Sequence, residues 1–543
     1  MSSLWQALML VRRSDKHAFW RRVLYVLLQS LLPLVNLCLL KRLVDSVAAG
    51  VSGTQSPVAF LPLLLAMVAV FLLNRIVAAL NGINGDYLSQ RLVDYMSDIM
   101  QRQAARLDLS YYDTPSYHDT FHRAQQEAGT RPILILNNFM AVGGALVSIG
   151  GVTVMLLSAS WWIVPVMLLA VLPSFFVRLY KARSIYSFRR SNTQVYRRTS
   201  YYNHLLTSRE AAKEMRVFRL APHFRRLFVE SRSRLVARLL RISRRLGMAD
   251  ILCAVVEAAA MLAIVYLLAR QAFAGAISVG SFVMLFEAFR RGQGYLASLV
   301  AGVAGLYDNR LFVNNLFEFL RLEPTILSPD EPLPMPEKIE TVEFRDVTFR
   351  YPDMQRDVLS HYNLTARVGE VTRIEGENGY GKSTLVKLLL RLYDPQQGAV
   401  LLNGIDIRRF PLDQLRGSMG VLFQDFVRYN CTAAENITLG SPLPTTHYPL
   451  PTENSLYLSG ADKVISSLPQ GVDTQLGRIF DGGHELSMGQ WQRLALARAL
   501  HSDAPLLLLD EPVAWIDVNA RRQFFESLEQ LKQNKIIILI THA

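Results

Sequence analysis

Residues 376 to 384 read Gly-Glu-Asn-Gly-Tyr-Gly-Lys-Ser-Thr, and this stretch decides the fold of the second half of the chain. It fits the phosphate-binding pattern G-x-x-x-x-G-K-S/T at every fixed position. Residues 371–374 before it predict a short strand and residues 384–392 after it predict a helix, which is the order that the pattern requires. In that arrangement backbone N–H groups surround the phosphates of a nucleotide, Lys382 reaches the β- and γ-phosphates, and Ser383 places its hydroxyl on Mg²⁺.

A second motif lies downstream, where four leucines are followed by two carboxylates. Residues 506–509 read as a buried parallel strand, and Asp510 and Glu511 come at its carboxyl end, where a metal-phosphate site is expected. Between the two motifs, residues 486–490 read Leu-Ser-Met-Gly-Gln. This stretch is similar to the L-S-G-G-Q signature of ABC transporter ATPases, with Met488 in place of the first glycine, and the chain resembles that family. Further marks of the family stand in their usual order at Tyr351, Gln424-Asp425, residues 514–517 and Thr541-His542.

The resemblance implies an ATP site with a separate role for each polar side chain. Tyr351 is expected to stack on adenine through its ring face. Glu511 is expected to polarise the attacking water, because its carboxylate follows the metal-contacting Asp510 by one position. His542 is expected to hydrogen-bond the γ-phosphate. The signature residues are expected to close on this ATP from a partner chain.

These expectations divide the site residues into sets. Catalysis is assigned to Glu511, His542 and Gln424, and Mg²⁺ is assigned to Ser383, Gln424 and Asp510. Contacts to ATP are assigned to Tyr351, Gly376, Glu377, Asn378, Gly379, Tyr380, Gly381, Lys382, Ser383 and Thr384. The signature residues are Ser487, Met488, Gly489 and Gln490, and Asp517 is assigned to the D-loop.

The first part of the chain has the composition of a membrane domain. Hydrophobic residues make up 51% of the chain and concentrate in six runs, near 22–44, 57–80, 133–158, 161–178, 247–269 and 278–304. Each run has roughly the ~20 residues that span a ~30 Å hydrocarbon core, whereas a soluble helical bundle does not need six runs of that length. The predicted fold class is therefore an all-α six-helix membrane domain followed by an α/β P-loop NTPase domain of the ABC type.

The net charge of +13 is concentrated in one loop. Residues 178–245 contain 19 Lys or Arg and three Glu, so the rest of the chain is slightly acidic. Because positive loops stay in the cytoplasm, the long loops 81–131 and 179–246 are expected on that side, together with the ATPase domain. This asymmetry explains the charge, and no nucleic-acid partner is expected. The basic face of the second loop can also lie against anionic membrane lipid.

A proline-rich stretch separates the two parts of the chain. It predicts a transmembrane domain at 1–323, a linker at 324–338 and an ATP-binding domain at 339–543. The sequence stops one residue after His542, where the ATPase domain of the resembled family continues, so the domain is expected to lack its usual C-terminal elements. One phosphate loop and one signature in the chain imply pairing with a second chain.

The resemblance implies an exporter half-transporter, a multi-pass protein of the plasma (inner) membrane. Its expected function is ATP-driven export or flipping of a hydrophobic, lipid-like or peptide substrate by alternating access. Since Glu511 and His542 are both present, a homodimer is favoured over a heterodimer. The alternative function is an ATP-gated regulator or channel of the same architecture, which does not need the fast hydrolysis that an intact Glu511 indicates. The long loops are expected to carry coupling helices at residues 111–117 and 211–216, with ordinary polar helix turns as the alternative.

Three charged residues interrupt the apolar runs and point to a polar group on the substrate. They are Arg75, Glu257 and Glu287, each costly at membrane depth. For Glu287 an ion pair with Arg290 or Arg291, three and four residues further on, is an equal alternative.

Overall fold

The computed structural model describes residues 2–51, 58, 60–114, 121, 131–157, 162–352, 354–376, 381–441, 450–515 and 518–541. The chain divides into two compact units. The first unit consists of Met1–Ala105 and Asp119–Leu322, and the second of Arg106–His118 and Glu323–Ala543. The predicted boundaries differ from this grouping because they assign residues 106–118 to the membrane domain and residues 324–338 to a separate linker.

The described part of the first unit is helical. Its long helices are α2 (Lys16–Val51), α3 (Leu61–Arg106), α5 (Arg131–Leu157), α6 (Ile163–Ser191), α9 (Ala221–Phe273) and α10 (Val279–Leu320). Shorter helices are α1 (Ser2–Ser14), α7 (Thr193–Thr207) and α8 (Ala212–Val217). Each long helix contains all or most of one of the six predicted apolar runs. Over the described residues, α2, α3, α5 and α9 are long and apolar enough to cross a membrane.

Large apolar side chains point outward on these helices. Leu65 is 62% exposed, Leu252 is 67% exposed and Leu262 is 71% exposed. Water would penalise so much exposed apolar surface, but the hydrocarbon tails of lipid do not. The helices pack on one another through a separate buried cluster that joins α2, α5, α9 and α10. Its members include Leu37, Val152, Leu156, Ile264, Leu268, Leu285 and Phe289.

The second unit contains two sheets. β2 (Leu359–Arg367), β1 (Thr341–Phe349), β4 (Gln397–Leu402) and β5 (Ile405–Asp406) form an antiparallel sheet in the order β2-β1-β4-β5. β3 (Val371–Glu375), β8 (Ile536–Thr541), β7 (Leu506–Asp510) and β6 (Met419–Leu422) form a parallel sheet in the order β3-β8-β7-β6. Every residue of β7 is buried, as expected for a leucine run covered on both faces.

Helices of the second unit connect and cover these strands. They are α4 (Leu109–Asp113), α11 (Lys382–Leu389), α12 (Leu412–Gly417), α13 (Ala433–Thr438), α14 (Glu453–Ser459), α15 (Ala461–Ser466), α16 (Met488–His501) and α17 (Val518–Leu531). One apolar core joins both sheets to α11, with Phe344 and Leu359 from the first sheet and Ile374 and Leu508 from the second. This core fixes the position of α11, whose first turn carries the phosphate-loop lysine and serine.

The stretch predicted as a linker is attached to the second unit at several points. Leu333 and Met335 pack against its core. The backbone N–H of Leu333 donates to the carbonyl of Arg409 at 2.8 Å. Thr325 donates to the Asp108 carboxylate from its backbone N–H at 2.6 Å and from its hydroxyl at 2.7 Å. These contacts tie residues 323–338 and the segment around α4 to the same unit.

The approach of α16 to β6 generates a stability prediction. A Cβ on Gly420 would lie 2.2 Å from the carbonyl oxygen of Ala499. Because a backbone atom cannot move aside cheaply, Gly420→Ala should destabilise the second unit by about 1–3 kcal/mol. Gly417→Ala is the matched control, since nothing lies within 4 Å of its Cβ position. Thermal unfolding of the full chain in detergent measures both variants, and equal melting temperatures would contradict the packing.

Candidate nucleotide-binding site

The described end of the phosphate loop has a conformation that favours glycine. Gly381 stands immediately before α11 with a φ of 81°, in the left-handed region. A Cβ there would lie 2.9 Å from the Leu359 side chain, so the loop also passes too close to β2 for a larger residue. Gly376 follows β3, and the predicted ATP contacts Glu377, Asn378, Gly379 and Tyr380 lie outside the described residues.

Lys382 is held inside the loop. Its side chain is only 8% exposed, and its ammonium donates to the carbonyl of Gly376 at 2.6 Å and to that of Thr541 at 3.4 Å. A buried ammonium needs such acceptors, because its charge is costly away from water. These contacts hold the ammonium at the carboxyl ends of β3 and β8, and Lys382 lines the same cleft as Ser383 and Asp510.

Ser383 and Asp510 join the two motifs by a direct hydrogen bond. The Ser383 hydroxyl donates to Asp510 Oδ2 at 2.9 Å, and Asp510 is 4% exposed. Burial raises the pKa of the Asp510 carboxyl, the Ser383 hydrogen bond partly offsets this effect, and the negative charge of Glu511 adds to it. A cation would favour the charged form of this carboxylate.

These donors fit Mg²⁺, which prefers oxygen ligands and usually takes only one or two from protein carboxylates. The hydroxyl of Ser383, the carboxylate of Asp510 and the amide oxygen of Gln424 are available on the lining of one cleft. Over the residues that the structure describes, no group of three His, Cys, Asp or Glu forms a metal site. A Mg²⁺ held by these few protein oxygens would take further ligands from the phosphates of a bound nucleotide.

Glu511 has a strained backbone. Its φ is 51°, which is uncommon for a residue with a side chain. Its backbone N–H donates to the carbonyl of Ile540 at 3.0 Å, and its carbonyl accepts from Gln492 Nε2 at 2.8 Å. The surrounding structure thus imposes the conformation, and Glu511 lines the cleft.

Gln492 connects three parts of the site. Its side chain is 2% exposed, and besides donating to Glu511 it accepts from the backbone N–H of Trp515 at 3.0 Å. Sequence analysis did not assign it a role, although it lies two residues after the signature. Gln492 therefore links the signature helix α16 to the backbone that carries Glu511.

The cleft has a volume of about 520 Å³. This volume lies within the ~300–1,000 Å³ range of small-ligand sites. It is lined by Tyr351, Met354, Val358, Gly381, Lys382, Ser383, Thr384, Gln424, Asp510 and Glu511. Eight of these ten residues are among the predicted site residues. Met354 and Val358 were not predicted, and their proximity in sequence to Tyr351 is the only signal that pointed to them.

The signature residues do not line this cleft. Ser487 caps α16: its hydroxyl accepts from the Gln490 backbone N–H, and the Gln490 side chain accepts from the Ser487 backbone N–H at 2.9 Å. Gly489 is required by close packing, since a Cβ there would lie 2.5 Å from the Trp515 carbonyl oxygen. Met488 is 41% exposed. The predicted residues Asp517 and His542 lie outside the described part of the chain.

Tyr351 belongs to an aromatic cluster that extends to α4. Its ring packs edge-on against that of Tyr393, with centroids 5.3 Å apart, and its hydroxyl lies 3.0 Å from that of Thr384. Tyr393 donates to the Asp113 carboxylate on α4. Lys387 lies 5.2 Å from the Tyr351 ring centroid and 3.8 Å from the same carboxylate. Burial and Asp113 both raise the pKa of Tyr393, so its hydroxyl stays protonated as the donor.

A strand, phosphate loop and helix beside a buried strand that ends in two carboxylates define a P-loop ATPase domain. Residues 359–514 match the family model described as ABC transporter. The fold of the whole chain is similar to "Structure of a bacterial Atm1-family ABC exporter with ATP bound", with a TM-score of 0.74, 21% identity, and coverage of 98% of this chain and 91% of that chain.

Curated relatives extend the similarity to the membrane domain. The chain is 26% identical to the subtilin transport ATP-binding protein SpaT of Bacillus subtilis, over 97% of this chain and 85% of SpaT. It is 28% identical to the nisin transport ATP-binding protein NisT of Lactococcus lactis subsp. lactis, over 94% and 84%. It is 33% identical to the ATP-dependent lipid A-core flippase of Syntrophus aciditrophicus (strain SB), over 52% of this chain and 45% of the flippase.

The chain carries an ABC transporter ATPase domain in its C-terminal part and has the layout of an exporter half-transporter, a helical membrane domain followed by that ATPase domain. It is a multi-pass membrane protein with its ATPase domain in the cytoplasm. It binds ATP and couples ATP hydrolysis to transport. The predicted family and fold class are confirmed.

The bridge formed by Gln492 generates a prediction about catalysis. Gln492→Leu keeps the side-chain volume but leaves the Glu511 carbonyl and the Trp515 N–H unpaired, each at a cost of about 1–3 kcal/mol. The variant should therefore hydrolyse ATP more slowly, with a much smaller change in ATP affinity. Gln414→Leu, at an exposed glutamine of α12, is the control. Steady-state hydrolysis and equilibrium ATP binding separate the two effects, and an unchanged kcat would contradict this role.

Proposed function

We propose that two copies of this chain form an ATP-driven exporter in the plasma (inner) membrane. The observation that carries the proposal is the cleft that unites Lys382, Ser383, Asp510 and Glu511 while leaving the signature residues outside it. Because the phosphate-binding cleft and the signature lie in separate places on one chain, a second chain is needed to complete each ATP site. Each copy would supply its phosphate loop to one ATP and its signature to the other.

The chemistry within one site follows from the side chains of the cleft. Lys382 binds the β- and γ-phosphates as a charge-assisted donor, and Tyr351 stacks on adenine. Ser383, Asp510 and Gln424 hold Mg²⁺, which neutralises charge on the phosphates when bound. Glu511 accepts a proton from the attacking water or orients it, since its backbone is fixed on both sides by hydrogen bonds. His542 is proposed to hydrogen-bond the γ-phosphate.

The partner chain would contribute Ser487, Gly489 and Gln490, with Met488 and Asp517 beside them. The reciprocal capping of Ser487 and Gln490 fixes the first turn of α16, and the N-terminus of a helix is an electrostatically favourable place for an anion. Glu511 lines the cleft in this chain, which favours two equal copies over a heterodimer with one inactive site. The same residue favours a pump over an ATP-gated channel, because gating does not require fast hydrolysis.

The segment around α4 is proposed to couple the ATP site to the membrane helices. It follows α3 after two residues, and Leu109 packs against the core of the second unit. Asp113 contacts Tyr393 and Lys387, which both lie against Tyr351. A movement of the Tyr351 ring, which is proposed to stack on adenine, would therefore be transmitted through these contacts to α4. Of the two predicted coupling segments, 111–117 overlaps α4 and 211–216 overlaps α8.

The names of the relatives indicate classes of substrate but no single molecule. Two of them are named for transport of subtilin and nisin, and a third for flipping of lipid A-core. The substrate of this chain is proposed to be a hydrophobic, lipid-like or peptide molecule, moved by alternating access.

Glu511→Gln tests the proposed pump. The change removes the charge but keeps the shape, so ATP should still bind while hydrolysis falls at least about hundredfold. Dimers with ATP trapped between them should then accumulate in nanodiscs, as measured by retained radiolabelled ATP and by size. Lys382→Ala is the control and should retain no ATP. Unchanged turnover in Glu511→Gln would place the catalytic carboxylate elsewhere.

A further inference from the structure

The three charged residues that interrupt the apolar runs have different contacts in the structure. Glu287 forms an ion pair on its own helix, donated by Arg290 Nε at 2.5 Å and Arg290 Nη2 at 3.0 Å. Arg75 lies over the Phe71 ring, 5.9 Å from its centroid. Among the side chains that the structure describes, none forms an ion pair or a ring contact with Glu257. Its contact is with Ser174 of α6, whose hydroxyl donates to Glu257 Oε1 at 2.5 Å.

Glu257 lies deep in an apolar helix. It is the only charged residue from 251 to 269, between Asp250 and Arg270. At a rise of about 1.5 Å per residue it lies roughly 10 Å from Asp250 and roughly 20 Å from Arg270 along α9. These distances place the carboxylate within the hydrocarbon layer, where an ionisable group usually marks a functional site.

The packing of α6 on α9 fixes the carboxylate in place. Asp250 of α9 pairs with Lys181 of α6 at 3.9 Å. The contact between Glu257 and Ser174 lies seven residues further along α9 and seven residues earlier along α6. Two contacts on one face of an antiparallel pair hold its register. Ser174 is 7% exposed, so its hydroxyl is committed to Glu257. It follows Pro173, which lies inside α6 and removes one backbone donor there.

One side of Glu257 remains open. Cys253, one turn before it, is buried, whereas Ala254 and Ala258 are exposed. These small side chains leave the half-buried carboxylate within reach of a molecule on that face. Within the described ranges of the chain no Lys, Arg or His pairs with Glu257. A serine hydroxyl satisfies one oxygen but leaves the negative charge uncompensated.

We infer that Glu257, held by Ser174, binds a cationic group on the transported substrate, of the ammonium or guanidinium class. This inference rests on the proposed export function and narrows its substrate to an amphiphile or peptide with a basic group. An ammonium can donate to the free Glu257 oxygen and cancel its charge in an apolar surrounding, where such a pair is stronger than in water. An uncharged molecule of the same shape gains neither effect.

The test compares two probes that differ in charge. The full chain in zwitterionic lipid nanodiscs is titrated with dodecylammonium and with neutral N-dodecylacetamide, without ATP and with empty nanodiscs subtracted. Glu257→Gln should weaken dodecylammonium binding roughly ten- to hundredfold and leave N-dodecylacetamide unchanged. Glu287→Gln, which removes an equal charge from an ion pair, is the matched control and should leave both affinities unchanged.

A second measurement needs no variant. Dicyclohexylcarbodiimide, an apolar reagent for carboxyl groups, should label Glu257 in the wild-type chain, as read by mass spectrometry of the peptides. Dodecylammonium should protect Glu257 from the reagent, and N-dodecylacetamide should not. Equal protection by both probes, protection by neither, or an unchanged affinity in Glu257→Gln would overturn the inference. ATP hydrolysis in the same nanodiscs is assayed separately, so a chain that binds the cation without hydrolysing ATP contradicts the pump alone.

Discussion

The ATP site depends on the position of one strand, β8, which pairs with β3 on one side and β7 on the other. β3 leads into the phosphate loop and β7 ends at Asp510. Since paired strands lie about 4.8 Å apart, β8 holds these two ends roughly 10 Å from each other. Its own end also bonds to both motifs: the carbonyl of Ile540 accepts from Glu511, and that of Thr541 accepts from Lys382. A slip of β8 would therefore displace both halves of the site.

The sequence predicts eight of the ten residues that line the cleft, because phosphate chemistry restricts residue types at fixed spacings. It gives no role to Gln492 and includes Asp113 only within the predicted coupling segment 111–117, because the contacts of these two residues have no local pattern. Gln492 bonds to a carbonyl 19 positions away, and Asp113 accepts from a tyrosine 280 positions away. Pairing over such distances follows from the packing of the core, and no periodicity in the sequence encodes it.

In the membrane unit, too, the sequence predicts the elements but not the contacts between them. The thickness of the bilayer sets the length of each apolar run, so the helices could be counted from the sequence. The contacts between them could not be predicted, because one apolar face can pack on another in many registers. Two partners were open for Glu287, and the structure selects Arg290. The contact between Ser174 and Glu257 joins helices that are 83 positions apart at these residues.

A common electrostatic arrangement appears in the two units. In each, a serine hydroxyl from a neighbouring helix fixes one oxygen of a carboxylate, Ser383 of α11 for Asp510 of β7 and Ser174 of α6 for Glu257 of α9. A hydroxyl orients a carboxylate without neutralising it, so the attraction for a cation remains. At Asp510 the proposed cation is Mg²⁺ and at Glu257 it is part of the substrate. The chain would thus bind Mg²⁺ and the cationic group of its substrate through the same electrostatic arrangement.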